Sequence, residues 1–272
     1  MNYKVEIHNT FGFKQDIFLP EPVELWIDLL PNTNKKTTRV LLLIEPDEIS
    51  NLKNLVINSR HKDFDFILTH NSEILEKCEN SHLHLFGTCW VKDFNFTKKK
   101  FSVTTLIGAK SMTSNHSLRH KLVDLLNLKF KVECEFFNSI NAPFNDKRLI
   151  TITSNHNKNE LFYSQFHIVI ENSCVENWFT EKLIDCFQTK TIPIYLGCPN
   201  ISDWFDTKGM FIVNSIDDIK NVLLNIDENT YQSKIDSIEN NYHKSNDFVD
   251  FGIMIENKLE KLFNKKDVNS NN

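Results

Sequence analysis

Two basic residues stand where a helix is expected to begin. Lys182 follows Thr180-Glu181 and leads into Leu183-Ile184-Asp185-Cys186-Phe187. Arg119 comes just after a loop over 111–115, ahead of Leu122, Leu125 and Leu126, which share one helical face with Leu118. A cation in the first turn opposes the helix dipole by roughly 0.3–1 kcal/mol. An anion docked there reverses that sign, because the free amides of a helix N-terminus already favour phosphate. Two such placements in one half of the chain point to a shared anion; the plain alternatives are a solvated lysine and an arginine on an exposed polar face. Two carboxylates complete the set. Glu171 ends the apolar run 166–170, and Glu45 ends the run 40–44 with Asp47 and Glu48 just beyond. Ligand-facing groups belong at the carboxyl ends of buried parallel strands, although Glu45 also reads as an ordinary strand end before a helix with proline at its first position.

The elements that must hold these residues follow from pattern. Residues 166–170 and 192–196 are short, β-branched apolar runs, suited to strands buried on both faces of a parallel sheet. With the helix from Thr180 between them, the stretch reads strand, loop, helix, strand. In the first half, strands are expected over 5–7, 40–44, 64–69 and 82–86, and helices over 22–30, 48–59 and 72–78. In the second, strands are expected over 101–107, 132–137 and 210–213, an irregular stretch over 142–164, and helices from Ser215 to about residue 226 and through most of 227–264. Alternating strands and helices imply βαβ units and an α/β fold. The polar, lysine-rich run 95–100 marks a boundary between domains 1–97 and 98–264, and the polar tail 265–272 is expected to be disordered.

Composition excludes several classes. At 272 residues, 40% hydrophobic and 25% charged, the chain reads as an ordinary globular protein of two domains. A net charge of −5 supplies no basic face for nucleic acid, so a phosphate ligand needs a local basic pocket. The six glycines form no Gly-x-Gly-x-x-Gly or P-loop pattern, which leaves side chains and helix N-termini to hold a phosphate. Cys78, Cys89, Cys134, Cys174, Cys186 and Cys198 show neither Cys-x-x-Cys pairs nor zinc spacing. Without a signal peptide they are expected to be reduced thiols in a cytoplasmic protein. No apolar run approaches the ~20 residues of a membrane span.

Taken together, Glu171-Asn172-Ser173, then Trp178-Phe179-Thr180-Glu181-Lys182-Leu183, then Ile192-Pro193-Ile194-Tyr195-Leu196-Gly197 resemble the signature of the α1,3/α1,4-fucosyltransferases, glycosyltransferase family 10, of the soluble microbial or viral type. That family has Glu-Asn-Ser/Thr, a short gap, Tyr-x-Thr-Glu-Lys and a Pro-containing strand ending in Gly. Lys182 falls eleven positions after Glu171, as in the family. Pro199-Asn200-Ile201, Trp204-Phe205 and Gly209-Met210-Phe211-Ile212 extend the likeness. Trp178 departs from the usual tyrosine, keeping an aromatic surface and losing a hydroxyl.

The resemblance implies a GT-B architecture: α/β, with two Rossmann-like domains facing a central cleft, the first for the acceptor and the second for the nucleotide sugar. It implies inverting, metal-independent transfer of fucose from GDP-fucose to a hydroxyl of a glycan acceptor. Arg119 and Lys182 are similar to the cations that hold the donor's diphosphate. Glu171, Asn172, Ser173, Trp178, Thr180 and Glu181 are similar to donor-binding residues, with Asn172, Trp178 and Glu181 at the ribose or sugar. The family's Glu-Ser-Pro, whose glutamate serves as general base, has its counterpart in Glu45-Pro46, with the serine missing. Asp63-Phe64-Asp65 matches the Asp-x-Asp of metal-dependent glycosyltransferases, but Phe64 leads straight into a strand and the aspartates read as its solvated entrance. Two other readings remain: a different GDP-sugar as donor, and a catalytically inactive carbohydrate-binding or scaffold protein that keeps the fold.

Overall fold

The computed structural model describes residues 2–10, 12–32, 35–91, 93–153 and 158–270. The chain forms two compact units, Met1–Gly87 with Glu176–Trp178 and Asp250–Asn272, and Thr88–Val175 with Phe179–Val249.

In the first unit, β1 (Tyr3–Lys4) and β3 (Phe18–Leu19) form a small antiparallel pair. β2 (Glu6–His8), β4 (Val23–Ile27), β5 (Thr38–Leu43), β6 (Phe66–Thr69) and β7 (Ser81–Leu83) form a parallel sheet in that order. β5 shows why the sheet holds. Val40 and Leu42 enter one core with Leu25, Ile27 and Leu68, while Leu41 and Leu43 enter another with Trp26, Val56, Ile67 and Ile74, as the two-residue period of a strand requires. The helix expected over 22–30 is instead β4. Its side chains are buried on both faces, so it lacks the apolar–polar alternation that marks a half-exposed strand. The helix expected over 48–59 is broken into Asp47–Ser50, Lys53–Leu55 and a wider turn at Val56–Arg60, with Asn51 in the left-handed region at φ 54°.

The last helix, Phe251–Ser270, places Phe251, Ile255, Leu259, Leu262 and Phe263 in the first unit's core. Their helical spacing is plain in the sequence, whereas the sheet face that receives them is not, so they fall in the first unit and not in the expected second domain 98–264. The tail expected to be disordered continues this helix to Ser270; residues 271–272 lie outside the described residues.

In the second unit β8 (Lys100–Ile107), β9 (Glu133–Ser139), β10 (Ile150–Ile152), β11 (Ser164–Ile170), β12 (Ile192–Leu196) and β13 (Phe211–Ile212) are all parallel, in the order β10-β9-β8-β11-β12-β13. The chain starts in the middle, winds out to β10, then returns to β11 on the other side of β8. This is the doubly wound dinucleotide-fold order, reversing between β8 and β11; in sheets of this order ligands bind beyond the carboxyl ends of the strands at the reversal. β10 and the short helical turn Lys158–Phe162 lie in the stretch expected to be irregular, whose residues 154–157 fall outside the described residues. Among the described residues no helix is long and apolar enough to cross a membrane.

Candidate functional site

The reversal point carries the cations. After β8, Thr113 caps the helix Ser114–His120: its side chain accepts from the His116 amide, and the Thr113 amide donates back to His116 Nδ1 at 3.1 Å. The helix therefore starts several residues earlier than Leu118–Leu126 suggests, and Arg119 lies in its last turn, not its first. The dipole conflict read at Arg119 is absent; a cation at a helix C-terminus is favourable. What its side chain does is a matter of hydrogen bonding. Buried to 8% exposure, Arg119 donates through Nη2 to the Ile170 carbonyl at 2.7 Å and to Asn172 Oδ1 at 3.0 Å. This spans the β8–β11 gap at the end of β11. The Thr113 hydroxyl donates to the Asn172 carbonyl at 2.6 Å, fixing the same loop. Ser173 is buried beside it.

Lys182 is in the first turn of the helix Glu181–Gln188, as expected, and Thr180 is its N-cap. Three carboxyl and hydroxyl neighbours resolve the dipole conflict from within the protein. Lys182 Nζ lies 3.1 Å from Thr180 Oγ1, 3.1 Å from Glu181 Oε1 and 3.7 Å from Glu171 Oε2. Glu171, fully buried, accepts from the Thr180 amide and the Thr180 hydroxyl at 2.8 Å each, which welds the end of β11 to the helix start. Burial pushes the Glu171 carboxyl up, against the pull of Lys182. Burial would lower the Lys182 ammonium, yet Glu181 and Glu171 outweigh it and hold the pKa above the usual value. For Glu181, burial is likewise outweighed, here by Lys182 and Lys158, and its carboxyl titrates lower than usual.

Three participants escaped the sequence reading. His116 is 1% exposed, and its pKa is lowered to about 4 by burial and by Arg119, Lys110, Lys182 and His120. Because Nδ1 accepts from Thr113, the ring hydrogen sits on Nε2, which is buried with no hydrogen-bond partner, as is Arg119 Nε. Both unused donors are N–H groups, as a phosphate would need. Lys158 lies 3.7 Å over the Trp90 ring. Asp185, 1% exposed, accepts from the Trp90 amide at 2.7 Å, the Val91 amide at 3.2 Å and Cys89 Sγ at 3.3 Å. No motif flags these residues; only the fold gathers them.

In the first unit, Glu45 is half-buried just past β5 and lines a small cavity with Asp47, Lys53, His70 and Asn71. Trp178, expected at the sugar, is 1% exposed, and its indole N–H donates to the Ile44 carbonyl at 2.8 Å. Asp63 pairs with Arg60, while Asp65 accepts from the Arg39 amide and Lys35. Among the described residues no three His, Cys, Asp or Glu side chains gather as metal ligands.

The family description "Glycosyltransferase family 10 (fucosyltransferase) C-term" matches residues 96–244, more than half of the chain. The chain belongs to glycosyltransferase family 10. The matched region holds Arg119, Glu171 and Lys182 but not Glu45. An α-(1,3)-fucosyltransferase of Helicobacter pylori is 34% identical over 111 residues, covering 40% of this chain and 20% of that protein. The match thus spans about a fifth of that relative's length. Among solved structures, TarM matches with a TM-score of 0.59 at 10% identity, over 88% of this chain and 54% of that one. The N-terminal domain of Candida albicans trehalose-6-phosphate phosphatase gives 0.55 at 8% identity, over 89% and 70%. An α1,3-fucosyltransferase crystal structure gives 0.49 at 16% identity, over 78% and 68%. The two parallel α/β units and the likeness to TarM place this family 10 chain in the GT-B fold class.

Proposed function

We propose that this family 10 chain is an inverting, metal-independent fucosyltransferase that moves fucose from GDP-fucose to a hydroxyl of a glycan acceptor. The observation that carries this reading is the meeting of Arg119 and Lys182, with unused donors on Arg119 and His116, at the reversal point of a dinucleotide-type sheet. Breaking the bond from sugar C1 to the diphosphate leaves GDP with added negative charge and an oxocarbenium-like sugar. Fixed cations placed where that charge grows lower the barrier, and two side-chain cations supply what a divalent ion supplies elsewhere. The acceptor oxygen attacks C1 from the face opposite the leaving group, which inverts the anomeric centre, and its proton passes to a carboxylate. Glu45 is the proposed base; Pro46 after it restricts it to extended backbone.

Calorimetry of GDP, UDP and GDP-fucose binding in EDTA tests the reading. Binding of GDP over UDP without metal, weakened in Lys182→Ala, is the expected outcome. Failure to bind GDP in EDTA, with UDP binding restored by manganese, overturns it. Product stereochemistry by NMR then tests inversion, and Glu45→Gln tests the base.

A further inference from the structure

The residue before Glu45 is held from both sides. The Ile44 amide donates to Asp28 Oδ1 at 3.0 Å, and the Ile44 carbonyl accepts from the Trp178 indole at 2.8 Å. The Glu45 amide also donates to Asp28, at 3.1 Å to Oδ2. Asp28 follows β4, pairs its own amide with the Leu42 carbonyl at 2.9 Å, and sits in the left-handed region at φ 47°, a conformation Asp and Asn tolerate better than most residues. Strained backbone persists where the surroundings over-determine it, and such residues cluster at functional sites.

We propose that Asp28 is a positioning residue for Glu45: its carboxylate clamps the Ile44 and Glu45 amides and places a second acidic group beside the base. Trp178 is the other arm of the clamp, its indole N–H holding the Ile44 carbonyl. The inference rests on Glu45 as base for its catalytic meaning, but the clamp is tested without it. Burial pushes the Asp28 carboxyl up to about 7, the two amides pull it down and Glu45 pushes it up again. The other charged or titratable groups at the same cavity are Asp47, Lys53 and His70, with Lys53 tied to Asp47 at 2.8 Å and to Glu73 at 3.1 Å.

The test is carboxyl titration by ¹³C NMR and amide exchange at Ile44 and Glu45, on the full chain. In the wild type, exchange corrected for its intrinsic pH dependence is expected to accelerate as pH falls through about 7, when Asp28 loses its charge. Asp28→Asn and Asp28→Gly both fit a left-handed backbone. Each is expected to speed exchange at the two amides about tenfold. GDP release from GDP-fucose should slow about tenfold, with GDP affinity within about twofold of wild type, because the base is displaced while the donor site is untouched. Unchanged exchange at both amides in both variants overturns the clamp. Normal turnover by Glu45→Gln overturns the base instead, leaving exchange and titration to decide Asp28. A variant that fails to fold is recognised by lost GDP binding, and the wild-type pH series then decides alone.

Discussion

Gly197 stands so close to Glu171 that a Cβ at 197 would lie 2.6 Å from Glu171 Cγ and 2.5 Å from Tyr195 Oη. Both neighbours are almost wholly buried, and the Tyr195 hydroxyl accepts from the Cys198 amide at 2.9 Å, so neither can swing away. The glycine just after β12 is needed for this approach, because Glu171 must reach Thr180 to hold the start of the lysine helix. Gly197→Ala is expected to cost about 1–3 kcal/mol of stability and to weaken GDP binding by displacing Glu171. Thermal denaturation with calorimetry checks both; an unchanged Tm would mean that the neighbours relax.

Arg119 and Lys182 should separate when each is replaced by alanine. Each variant is expected to bind GDP about 10–100-fold more weakly, the worth of one charge-assisted contact. Arg119→Ala also strips the Ile170 carbonyl and Asn172 of a buried donor and should cost about 1–3 kcal/mol in folding. Lys182 is 28% exposed and props fewer groups, but it opposes the burial that raises Glu171. Without it the Glu171 pKa rises further. A carboxyl raised in the folded state destabilises as pH rises through its unfolded and then its folded pKa. The stability deficit of Lys182→Ala should therefore grow as pH rises above the ordinary carboxyl value of 4.5, which denaturant melts at several pH values will register.

The second unit was largely legible because its strands are short apolar runs between polar breaks; β12 matches its expected bounds. Lys182 at a helix start was legible too, from Thr180 as a cap. Arg119 was misplaced because the apolar face marks the middle of that segment, whereas its start is set by Thr113 and His116, a capping pair with a histidine in the position a Glu or Gln usually holds. β4 was lost because burial on both faces erases the period that distinguishes strand from helix. Trp178 was assigned to a ligand from its place in the motif; its indole is spent on the Ile44 backbone, a pairing between residues far apart in sequence that no local pattern encodes. Asp28, His116 and Asp185 belong to the same class.

Asp185 anchors the segment that carries Trp90. Its carboxylate is the acceptor for two backbone amides, at Trp90 and Val91, and for Cys89. Burial raises its pKa, while Lys158 and those donors oppose the rise. Asp185→Ala leaves two amides without this acceptor and should cost about 2–5 kcal/mol. Asp185→Asn, which keeps one acceptor oxygen, should cost less. Hydrogen exchange at Trp90 and Val91 is expected to rise in the same order, and equal exchange in wild type and Asp185→Ala would remove Asp185 as the anchor.

Beneath the sheet Lys99 sends its ammonium to the carbonyls of Phe162 and Ser164 and, at 2.7 Å, to Thr191 Oγ1. Burial lowers its pKa to about 7, from an ordinary value of 10.5. Between those values the unfolded chain holds the proton and the folded one has lost it, so stability rises with pH from about 7 towards 10.5. The slope is at most about 1.4 kcal/mol per pH unit, or roughly 3–5 °C of Tm per unit. His167, which meets Thr104 Oγ1 at 2.8 Å, continues the trend on the acid side: burial, with Lys158 and Lys99, lowers its pKa from 6.5 to about 3. The unfolded state then takes up the proton first, and stability falls as pH drops from 6.5 towards 3. Asp28, raised to about 7, pulls the other way below that pH, which makes the variants more telling than the wild-type curve. Lys99→Met should flatten the rise of Tm between pH 7 and 10, whatever its offset at pH 7, while leaving the acid limb in place. If Lys99→Met kept the wild-type slope, the ammonium would be titrating as it does in water.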